Sequence, residues 1–410
     1  MKQPFLWGVA TSAFQLEGSP HADWASWDSI LSSAPEVTNH YALYKKDLRL
    51  LKDLGVNAYR FSVEWSRIQP KENLWDEEAI SHYQEIIDIL RESNIEPMVT
   101  IHHFTHPLWF IKKYPWHESR SVEKFMAFAR KVFSSISGVK YWITFNEPYV
   151  LILGGYLEGC MPPGITDISL AVRAMENILI CHGKTYDMIH ETMPSALVSV
   201  AHNMAALAPW KRWNPLDRLL AKIAKYFYNH SLLDAFLTGT LRVKFPFGRA
   251  VHLSVPVRNK LDFFGVNYYT RVHMRFNPFR KMAVELRHRD IDGHGLTDMG
   301  WEIHPHGLEK VLNYASTLNV PIIITENGIA THNDRARIKF MKGHIDVLER
   351  CLKKGADVRG YFYWSLIDNY EWLQGLDARF GLYNVDFNTM ERTPTKAALY
   401  YSYLIKSRGF

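Results

Sequence analysis

The chain has 410 residues, of which 47% are hydrophobic and 22% charged, as in folded globular proteins rather than disordered or fibrous ones. No stretch reaches about 18 consecutive apolar residues, so the sequence predicts no membrane-spanning helix. The formal net charge of +6 is mild, and we expect no nucleic-acid partner. Three scattered cysteines are too few for a disulfide framework, and they indicate a reducing, cytoplasmic environment.

Eight short β-type runs recur along the chain, beginning close to the N-terminus. The first run, FLWGVATSAF, carries too short an apolar segment for a signal peptide, and we interpret it as a strand. The predicted strands cover residues 5–14, 58–65, 96–104, 141–148, 197–203, 262–270, 321–328 and 359–369.

The stretches between these strands predict amphipathic helices. Leucines recur near helical spacing in 41–55, where the pattern stops at Gly55, and residues 76–94 and 121–138 behave alike. Alternating strands and helices favour a parallel sheet, and eight such units predict an α/β fold, a single (β/α)8 TIM barrel. Because no linker or low-complexity tract divides the chain, we expect one barrel domain over residues 1–410.

Polar side chains end seven of the eight predicted strands. In a barrel of this type the active site lies at the carboxyl ends of the strands, so these side chains should meet at one pocket. They are Gln15, Glu64, His103, Glu147, Asn203, Tyr269 and Glu326. The eighth strand leads into WSLIDNYEW, which mixes aromatic rings with hydrogen-bonding groups.

Two of these residues, Glu147 and Glu326, are acids that close apolar runs, in YWITFNEP and PIIITENG. They end the fourth and seventh strands and should face each other across the barrel mouth. Glycoside hydrolysis needs such a pair, one acid to protonate the leaving oxygen and one to attack or to activate water. The alternative, two ordinary solvated acids, is disfavoured because each acid follows an apolar run and stands beside an asparagine.

Histidines in TIHHFTH raise the alternative of a metal-dependent hydrolase. Adjacent residues on a strand point to opposite faces, so His102 and His103 should not share a metal. We therefore expect neither a metal nor another cofactor. One of the histidines should instead hydrogen-bond to substrate while another packs in the core. The high aromatic content, 14% of the residues, favours a carbohydrate ligand.

The motifs together resemble family 1 of the glycoside hydrolases, the retaining β-glucosidases and β-galactosidases. The resemblance covers nearly the whole chain, and TFNEP followed by ITENG is its most specific part. FLWGVATSAFQLEG, NAYRFSVEWSRI, FFGVNYYT and YWSLIDNYEW agree with it, and HPLWFIKK is similar to a compact archaeal-type subgroup. It implies that terminal β-D-glucosyl, and also β-D-galactosyl, residues are removed from small or alkyl/aryl glycosides by double displacement.

The same resemblance implies a role for each matching residue. Glu326 would be the nucleophile, supported by Arg60 and Tyr269, and Glu147 the acid/base, with Asn267 beside it. Arg60 should favour ionised Glu326, whereas Glu147 must keep a proton, so its pKa should be raised. The implied substrate ligands are Gln15, His103, Asn146, Trp301, Trp364, Glu371 and Trp372.

Within the family, the intact pair Glu371–Trp372 implies an unphosphorylated sugar, because members acting on 6-phospho-sugars replace it with neutral residues. Phe104 and Thr105 stand where a typical member has Trp and Asp, which leaves the aglycone preference open. Two further interpretations keep the barrel and change the function. One is a transglycosylating enzyme and the other a sugar-binding pseudo-enzyme.

Two segments, 208–229 and 271–289, are basic and aromatic. Residues 207–230 carry a net charge of +4 and residues 271–289 a net +5, so the rest of the chain is acidic. Such a composition is typical of a membrane-surface anchor, and peripheral membrane contact is one interpretation. A solvated helix face, or a contact between subunits of a homo-oligomer, is the other.

Overall fold

The computed structural model describes residues 4–27, 37–243, 250–280 and 283–408. Within these residues eight parallel strands form a closed ring, in which each strand pairs with its neighbour in the chain and the last pairs with the first. They are β1 (Leu6–Ala10), β2 (Ala58–Ser62), β3 (Glu96–His102), β4 (Tyr141–Asn146), β5 (Leu197–Pro209), β6 (Phe264–Phe276), β7 (Ile322–Asn327) and β8 (Val358–Trp364). The predicted (β/α)8 barrel is confirmed.

Helices separate the strands and pack around the barrel. The principal ones are α1 (His40–Leu54), α2 (Glu77–Glu92), α3 (Arg120–Ser135), α4 (Ile168–Thr192), α5 (Ser231–Thr238), α6 (His306–Ala315), α7 (Asp334–Lys353) and α8 (Lys396–Ser407). The first three match the helices predicted from leucine spacing. Gly55 ends α1 in the left-handed region, and the Asp76 side chain caps the start of α2.

Shorter elements fill the connections. The short helices are Ala13–Glu17, Asp23–Trp27, Trp65–Ile68, Leu108–Lys113, Pro148–Ile152 and Pro215–Lys225, with single π or 3-10 turns at Leu153–Glu158, Tyr226–His230, Ser316–Leu318 and Trp372–Gln374. Two small hairpins pair Thr240–Val243 with Val251–Ser254 and Tyr383–Asp386 with Glu391–Pro394.

Alternation along the strands decides which side chains enter the barrel. One face of the strands forms an interior cluster that includes Leu6, Ala58, Met98, Ile143, Ile323 and Phe362. The other face packs against the surrounding helices. Because Arg60 lies two residues after Ala58, it enters the interior one layer closer to the carboxyl ends of the strands. The sequence thus places a cation beneath the barrel mouth.

Strands β5 and β6 stay paired well beyond the barrel wall, and Val284–Arg287 adds a third strand to this extension. We call residues 206–209, 271–276 and 284–287 the ribbon, and the helix Pro215–Lys225 the cap helix. The cap helix packs on the ribbon through Leu220, Ala221 and Met274. Asp217 fixes it there by accepting hydrogen bonds from the backbone N–H groups of Lys211 and Phe276.

The two basic segments therefore form one projecting unit, a helix and the ribbon beside it. Lys281, which contributes to the charge of the second segment, lies outside the described residues. In the part of the chain that the structure describes, no helix combines the length and apolarity needed to cross a membrane.

Candidate active site

A cavity of about 740 Å³ opens at the carboxyl ends of the barrel strands. Ten of the twelve residues singled out from the sequence line it: Gln15, His103, Asn146, Glu147, Tyr269, Trp301, Glu326, Trp364, Glu371 and Trp372. The other two, Arg60 and Asn267, are fully buried and hydrogen-bond directly to lining residues. The structure therefore brings all twelve residues together.

Glu326 sits near the end of β7, where the apolar run Ile322–Ile324 closes the barrel wall. A register shift against β6 falls between Ile324 and Glu326, and such an irregularity re-aims a side chain. The carboxylate accepts a hydrogen bond from Arg60 Nη1 at 2.5 Å and one from the Tyr269 hydroxyl, also at 2.5 Å. Each oxygen of Glu326 thus has its own donor.

The surroundings of Glu326 act on its pKa in opposite directions. Burial raises the pKa above its ordinary value, and the charge and hydrogen bond of Arg60 and the hydrogen bond of Tyr269 oppose that rise. Arg60 therefore favours the ionised form, as expected from the sequence, but it does so against a large desolvation cost that the sequence did not reveal.

Glu147 follows β4 directly and adopts a left-handed backbone conformation, with φ of 45°. This region is uncommon for a residue with a side chain, and such strain concentrates at functional sites. Pro148 begins the next short helix immediately afterwards. Two amides donate to the same carboxyl oxygen, Oε1, from Asn203 at 2.9 Å and Asn267 at 2.7 Å.

Burial, together with the negative charge of Glu326, raises the pKa of Glu147 to about 8, and the two amide hydrogen bonds oppose the rise. Among the described residues Glu147 makes no ion pair within 4 Å, whereas Glu326 does. Among the described residues, Arg60 is the one guanidinium hydrogen-bonded to either carboxyl, and because it is directed at Glu326 it favours ionisation of Glu326 over that of Glu147.

A hydrogen-bond network beneath the cavity couples the two carboxyls. Arg60 Nη2 donates to Asn146 Oδ1 at 2.7 Å, and Asn267 donates to the same oxygen at 3.2 Å. Thr325 holds Asn267 in turn, through a hydrogen bond of 2.7 Å from its hydroxyl. Any displacement of one acid is transmitted to the groups that hold the other, so the pair is positioned as a unit.

The opposite wall carries Gln15 and His103, each with a buried polar atom that has no protein partner among the described residues. Gln15 Nε2 donates to the Tyr370 carbonyl and to Glu371, whereas its Oε1 is buried and has no hydrogen-bond partner among the described residues. His103 Nε2 lies 3.1 Å from the Asn146 amide, which leaves Nδ1 unpaired. Because Gln15 and His103 also line the cavity, these unpaired atoms are suited to bond a polar ligand there.

Aromatic rings frame this wall. The imidazole of His103 is nearly parallel to Trp364 and Trp372, with ring centroids 6.0 and 6.3 Å away. Burial, with Arg60 nearby, lowers the pKa of His103 well below its usual range, so it is neutral. Gln15 itself belongs to the short helix Ala13–Glu17, not to the end of the first strand as predicted, because that strand stops at Ala10.

Glu64, His102 and His106 do not line the cavity, contrary to the prediction for Glu64, and both ring nitrogens of His102 are buried without a hydrogen-bond partner among the described residues. Glu64 accepts hydrogen bonds from Ser66 and Thr105. His106 pairs with Asp23 at 2.7 Å, and His102 packs among aromatic rings. Across the described ranges, no group of three or more His, Cys, Asp or Glu side chains is arranged to hold a metal ion.

Two neighbours of Glu147 were given no role from the sequence. Asn203 was noted only as a strand end, although it donates directly to the carboxyl. Tyr228, on the π turn after the cap helix, donates to Asn203 Oδ1 at 2.8 Å and so orients its amide toward Glu147. The strand-end rule placed Asn203 at the pocket without giving it a role, and no sequence signal marks Tyr228.

A (β/α)8 barrel with two carboxyls at its mouth, one paired with arginine and one holding a proton near neutral pH, is the arrangement of a glycoside-cleaving enzyme. Comparison with known proteins agrees. The model of glycosyl hydrolase family 1 matches residues 1–410. The chain belongs to this family and is a retaining β-glycosidase, which confirms the resemblance seen in the sequence motifs.

Individual relatives match along their full length. β-Glucosidase A of Thermotoga maritima is 33% identical over 444 aligned residues, covering 99% of this chain and 97% of that protein. The solved structure of a β-glycosidase from Pyrococcus horikoshii has a TM-score of 0.92 and 38% identity, covering 100% of this chain and 96% of that one. A 6-phospho-β-galactosidase of Staphylococcus haemolyticus is 30% identical, covering 100% and 99%.

Replacing Asn203 should change the acidity of Glu147 in a defined direction. Asn203→Ala removes a hydrogen bond that favours the ionised form, so the pKa of Glu147 should rise by roughly one unit. A ¹³C NMR titration of labelled glutamate carboxyls measures it, with Glu147→Gln to assign the signal. Tyr228→Phe should give a smaller rise, and an unchanged or lowered pKa in Asn203→Ala would contradict the described geometry.

Proposed function

We propose that the whole chain, residues 1–410, acts as one catalytic domain that hydrolyses terminal β-D-glucosides and, with them, β-D-galactosides. Glu326 is the nucleophile in this proposal and Glu147 the acid/base. The observation that carries it is the asymmetry of the two acids, because Arg60 contacts Glu326 while Glu147 has only amide donors. The β-glucosidase and β-glycosidase relatives support the substrate class.

In the first step, the Glu326 carboxylate attacks the anomeric carbon while Glu147 gives its proton to the glycosidic oxygen. The bond from the anomeric carbon to the leaving oxygen breaks, and the aglycone departs as an alcohol. A glycosyl ester of Glu326 remains. The Tyr269 hydroxyl and Arg60, which hold the two carboxylate oxygens, keep Glu326 oriented for this attack.

In the second step, Glu147 changes from acid to base because the charge on Glu326 changes. Once Glu326 is esterified its negative charge is gone, and one of the two causes that raise the pKa of Glu147 disappears with it. Glu147, now ionised, removes a proton from water, which attacks the anomeric carbon from the face the aglycone has left, and the bond between that carbon and Glu326 breaks to release the carboxylate. The sugar leaves with its original β configuration, and both acids regain their starting states.

The unpaired atoms of the opposite wall suit the hydroxyls of the sugar. We assign Gln15 Oε1 and His103 Nδ1, together with Glu371, as hydroxyl partners, and Trp364 and Trp372 as apolar surfaces for the ring. Asn146, held between Arg60 and His103, is assigned to the 2-hydroxyl, where hydrogen bonds strengthen in the transition state. Trp301, whose ring contacts Tyr269, flanks the aglycone.

We further propose that the sugar is unphosphorylated, unlike that of the Staphylococcus relative. Phosphate sites use Arg or Lys, and the described residues around Glu371 supply neither, since Arg60 is already committed to Glu326. Burial and the charges of Glu326 and Glu147 raise the pKa of Glu371 to about 8, and the negative charge of an added phosphate would make ionisation of these buried carboxyls still less favourable. Faster cleavage of an aryl glucoside 6-phosphate than of the parent glucoside would contradict this.

The two acids should respond differently to the leaving group. Glu147→Gln removes the proton donor, so kcat/KM for methyl β-D-glucoside should fall about 10²–10⁴-fold, whereas 2,4-dinitrophenyl β-D-glucoside, whose leaving group needs no proton, should lose far less. Glu326→Gln removes the nucleophile, so both substrates should lose activity alike. Steady-state kinetics of the two variants on both substrates measure this.

The pH dependence supplies the control. Because Glu147 must be protonated in the free enzyme, kcat/KM for methyl β-D-glucoside should fall as pH rises through about 8. This fall in kcat/KM at alkaline pH should be absent in Glu147→Gln. If instead Glu326→Gln lost activity mainly on methyl β-D-glucoside and Glu147→Gln lost activity on both substrates alike, Glu326 would be the acid/base and Glu147 the nucleophile, which would contradict the proposal.

We also propose that this enzyme works in the cytoplasm and touches a membrane surface through 208–229 and 271–289. The projecting unit has exposed apolar tips, with Trp213 at 76%, Leu216 at 44% and Phe279 at 95% exposure, beside basic residues. The free thiols of the described cysteines suit a reducing compartment.

Co-sedimentation with anionic phosphatidylglycerol vesicles tests the membrane contact. We expect binding at low salt that weakens at high salt and in the double variant Trp213→Ser, Phe279→Ser. Absence of binding at low salt would refute the contact. A mass above that of a monomer in light scattering, lost in the same variant, would instead assign the surface to a homo-oligomer.

A further inference from the structure

A cluster of buried charges lies just outside the cavity, and the proposed mechanism does not use it. Its centre is Glu302, which is fully buried and does not line the cavity. The carboxylate accepts hydrogen bonds from Arg271 Nε at 2.9 Å and from Arg271 Nη2, from His273 Nε2 at 2.8 Å, and from the Ile291 N–H at 3.1 Å. Arg271 also pairs with Asp292 at 3.2 Å. With this many charged and neutral donors, the carboxylate of Glu302 is held in one place.

The donors keep Glu302 ionised. Burial raises its pKa, but the hydrogen bonds from Arg271, His273 and the Ile291 backbone, together with the charge of Arg271, outweigh burial and lower the pKa to about 2. Removing two charges from water is costly, and a buried ion pair is often no more stabilising than apolar residues of the same volume. The groups that the pair holds in place therefore indicate its use better than its contribution to stability does.

The pair joins two segments that each carry a residue of the active site. Glu302 follows Trp301 directly, and Arg271 lies two residues after Tyr269 on β6. The backbone joins the same segments, because Arg271 and Glu302 form a β-bridge and the Thr270 hydroxyl donates to the Glu302 carbonyl at 2.8 Å. Trp301 and Tyr269 both line the cavity, with ring centroids 5.9 Å apart. Both rings are thus within two residues of one ion pair.

Tyr269 lies at an irregular point of β6. Two residues of β6, Tyr269 and Thr270, face the single residue Ala205 of β5, which makes a β-bulge. A bulge interrupts the ladder and re-aims a side chain, so the place of Tyr269 depends on what fixes the strand on either side. Before the bulge, Asn267 pairs with β7. After the bulge, the first residue paired with β5 is Arg271, which is the residue that binds Glu302.

We propose that the Arg271–Glu302 pair positions the nucleophile through Tyr269. The pair fixes the bulge so that the Tyr269 hydroxyl remains on Glu326, and it keeps the Trp301 ring against Tyr269. This inference rests on the proposed function for the role of Glu326. Neither Arg271 nor Glu302 lines the cavity, so both are positioning residues. Because the Tyr269 hydrogen bond opposes the rise in the pKa of Glu326, loss of the pair should raise that pKa further.

The pH profile gives the first test. Glu302→Gln keeps the shape of the side chain and removes its charge, and Tyr269→Phe, which removes the hydrogen bond itself, is the reference. With 2,4-dinitrophenyl β-D-glucoside, kcat/KM should fall at acid pH as Glu326 becomes protonated. Both variants should move this fall to higher pH by roughly half a unit to one unit, and should lower kcat/KM at neutral pH about tenfold to a hundredfold. An unmoved profile in Glu302→Gln would overturn the proposal.

A second buried ion pair supplies the matched control. Asp47 and Arg392, whose side chains are both 0% exposed, form two hydrogen bonds of 2.7 and 2.8 Å, and neither residue lines the cavity. Asp47→Asn and Glu302→Gln should both lower the melting temperature, but only Glu302→Gln should move the fall in kcat/KM at acid pH. An equal movement in both variants would indicate a general loss of structure and overturn the positioning role.

A double variant separates an effect through Tyr269 from an independent one. If Glu302 acts through Tyr269, kcat/KM of the double variant Tyr269→Phe, Glu302→Gln should match that of Tyr269→Phe within about twofold. Losses that multiply would refute the proposal. If Glu302→Gln does not fold, Arg271→Lys takes its place in the same comparison. Arg271→Lys keeps the cation but loses the planar fork that holds the carboxylate, so its shift should be smaller than that of Tyr269→Phe but in the same direction.

A measurement without turnover separates this inference from the proposed function. A ¹³C NMR titration of labelled glutamate carboxyls reports the pKa of Glu326, with Glu326→Gln to assign the signal. A higher pKa in Glu302→Gln and Tyr269→Phe, but not in Asp47→Asn, supports the positioning role even if no glucoside is cleaved, in which case only the proposed function fails. An unchanged pKa of Glu326 in Glu302→Gln would refute the positioning role even in an active enzyme.

Discussion

The ion pair between Arg60 and Glu326 is the constraint on which the rest of the site depends. Both side chains are buried, and a buried pair is stable only when its remaining hydrogen-bonding groups are also satisfied. Arg60 meets this condition through the Thr100 hydroxyl, the Thr325 carbonyl and the Asn146 side chain. Those partners come from β3, β7 and β4, so the closed barrel supplies the hydrogen bonds that stabilise the buried pair.

The charge of Glu326, which Arg60 stabilises, also affects the pKa of the neighbouring Glu147. The negative charge of Glu326 contributes to the raised pKa of Glu147, and Asn267 and Asn203 limit that rise by hydrogen bonding. A double displacement needs one acid that is ionised and one that exchanges a proton. Burial raises the pKa of both acids, and Arg60, directed at Glu326, opposes that rise chiefly there. Tyr228, on the π turn after the projecting cap helix, orients Asn203. The position of the cap helix is therefore linked to the hydrogen bonding that limits the pKa of Glu147.

The recurring short β-type runs and the helical patterns between them predicted the barrel well, since each strand and helix depends largely on its own residues. The two acids were predictable for a related reason, because a charge at the end of an apolar run has few structural uses. Gln15 was misplaced by the early end of β1 at Ala10. The register shift before Glu326 and the Tyr228 contact depend on segments distant in the chain, and local patterns do not encode such contacts.

The central claim is that Glu326 forms a covalent bond to the sugar and Glu147 serves both steps. Proton NMR of the sugar released from an aryl β-D-glucoside, recorded within the first minutes, tests it most directly. Double displacement predicts that β-glucose appears first and only later mutarotates to the α-anomer. Initial release of α-glucose would mean direct attack by water, and would contradict the role assigned to Glu326.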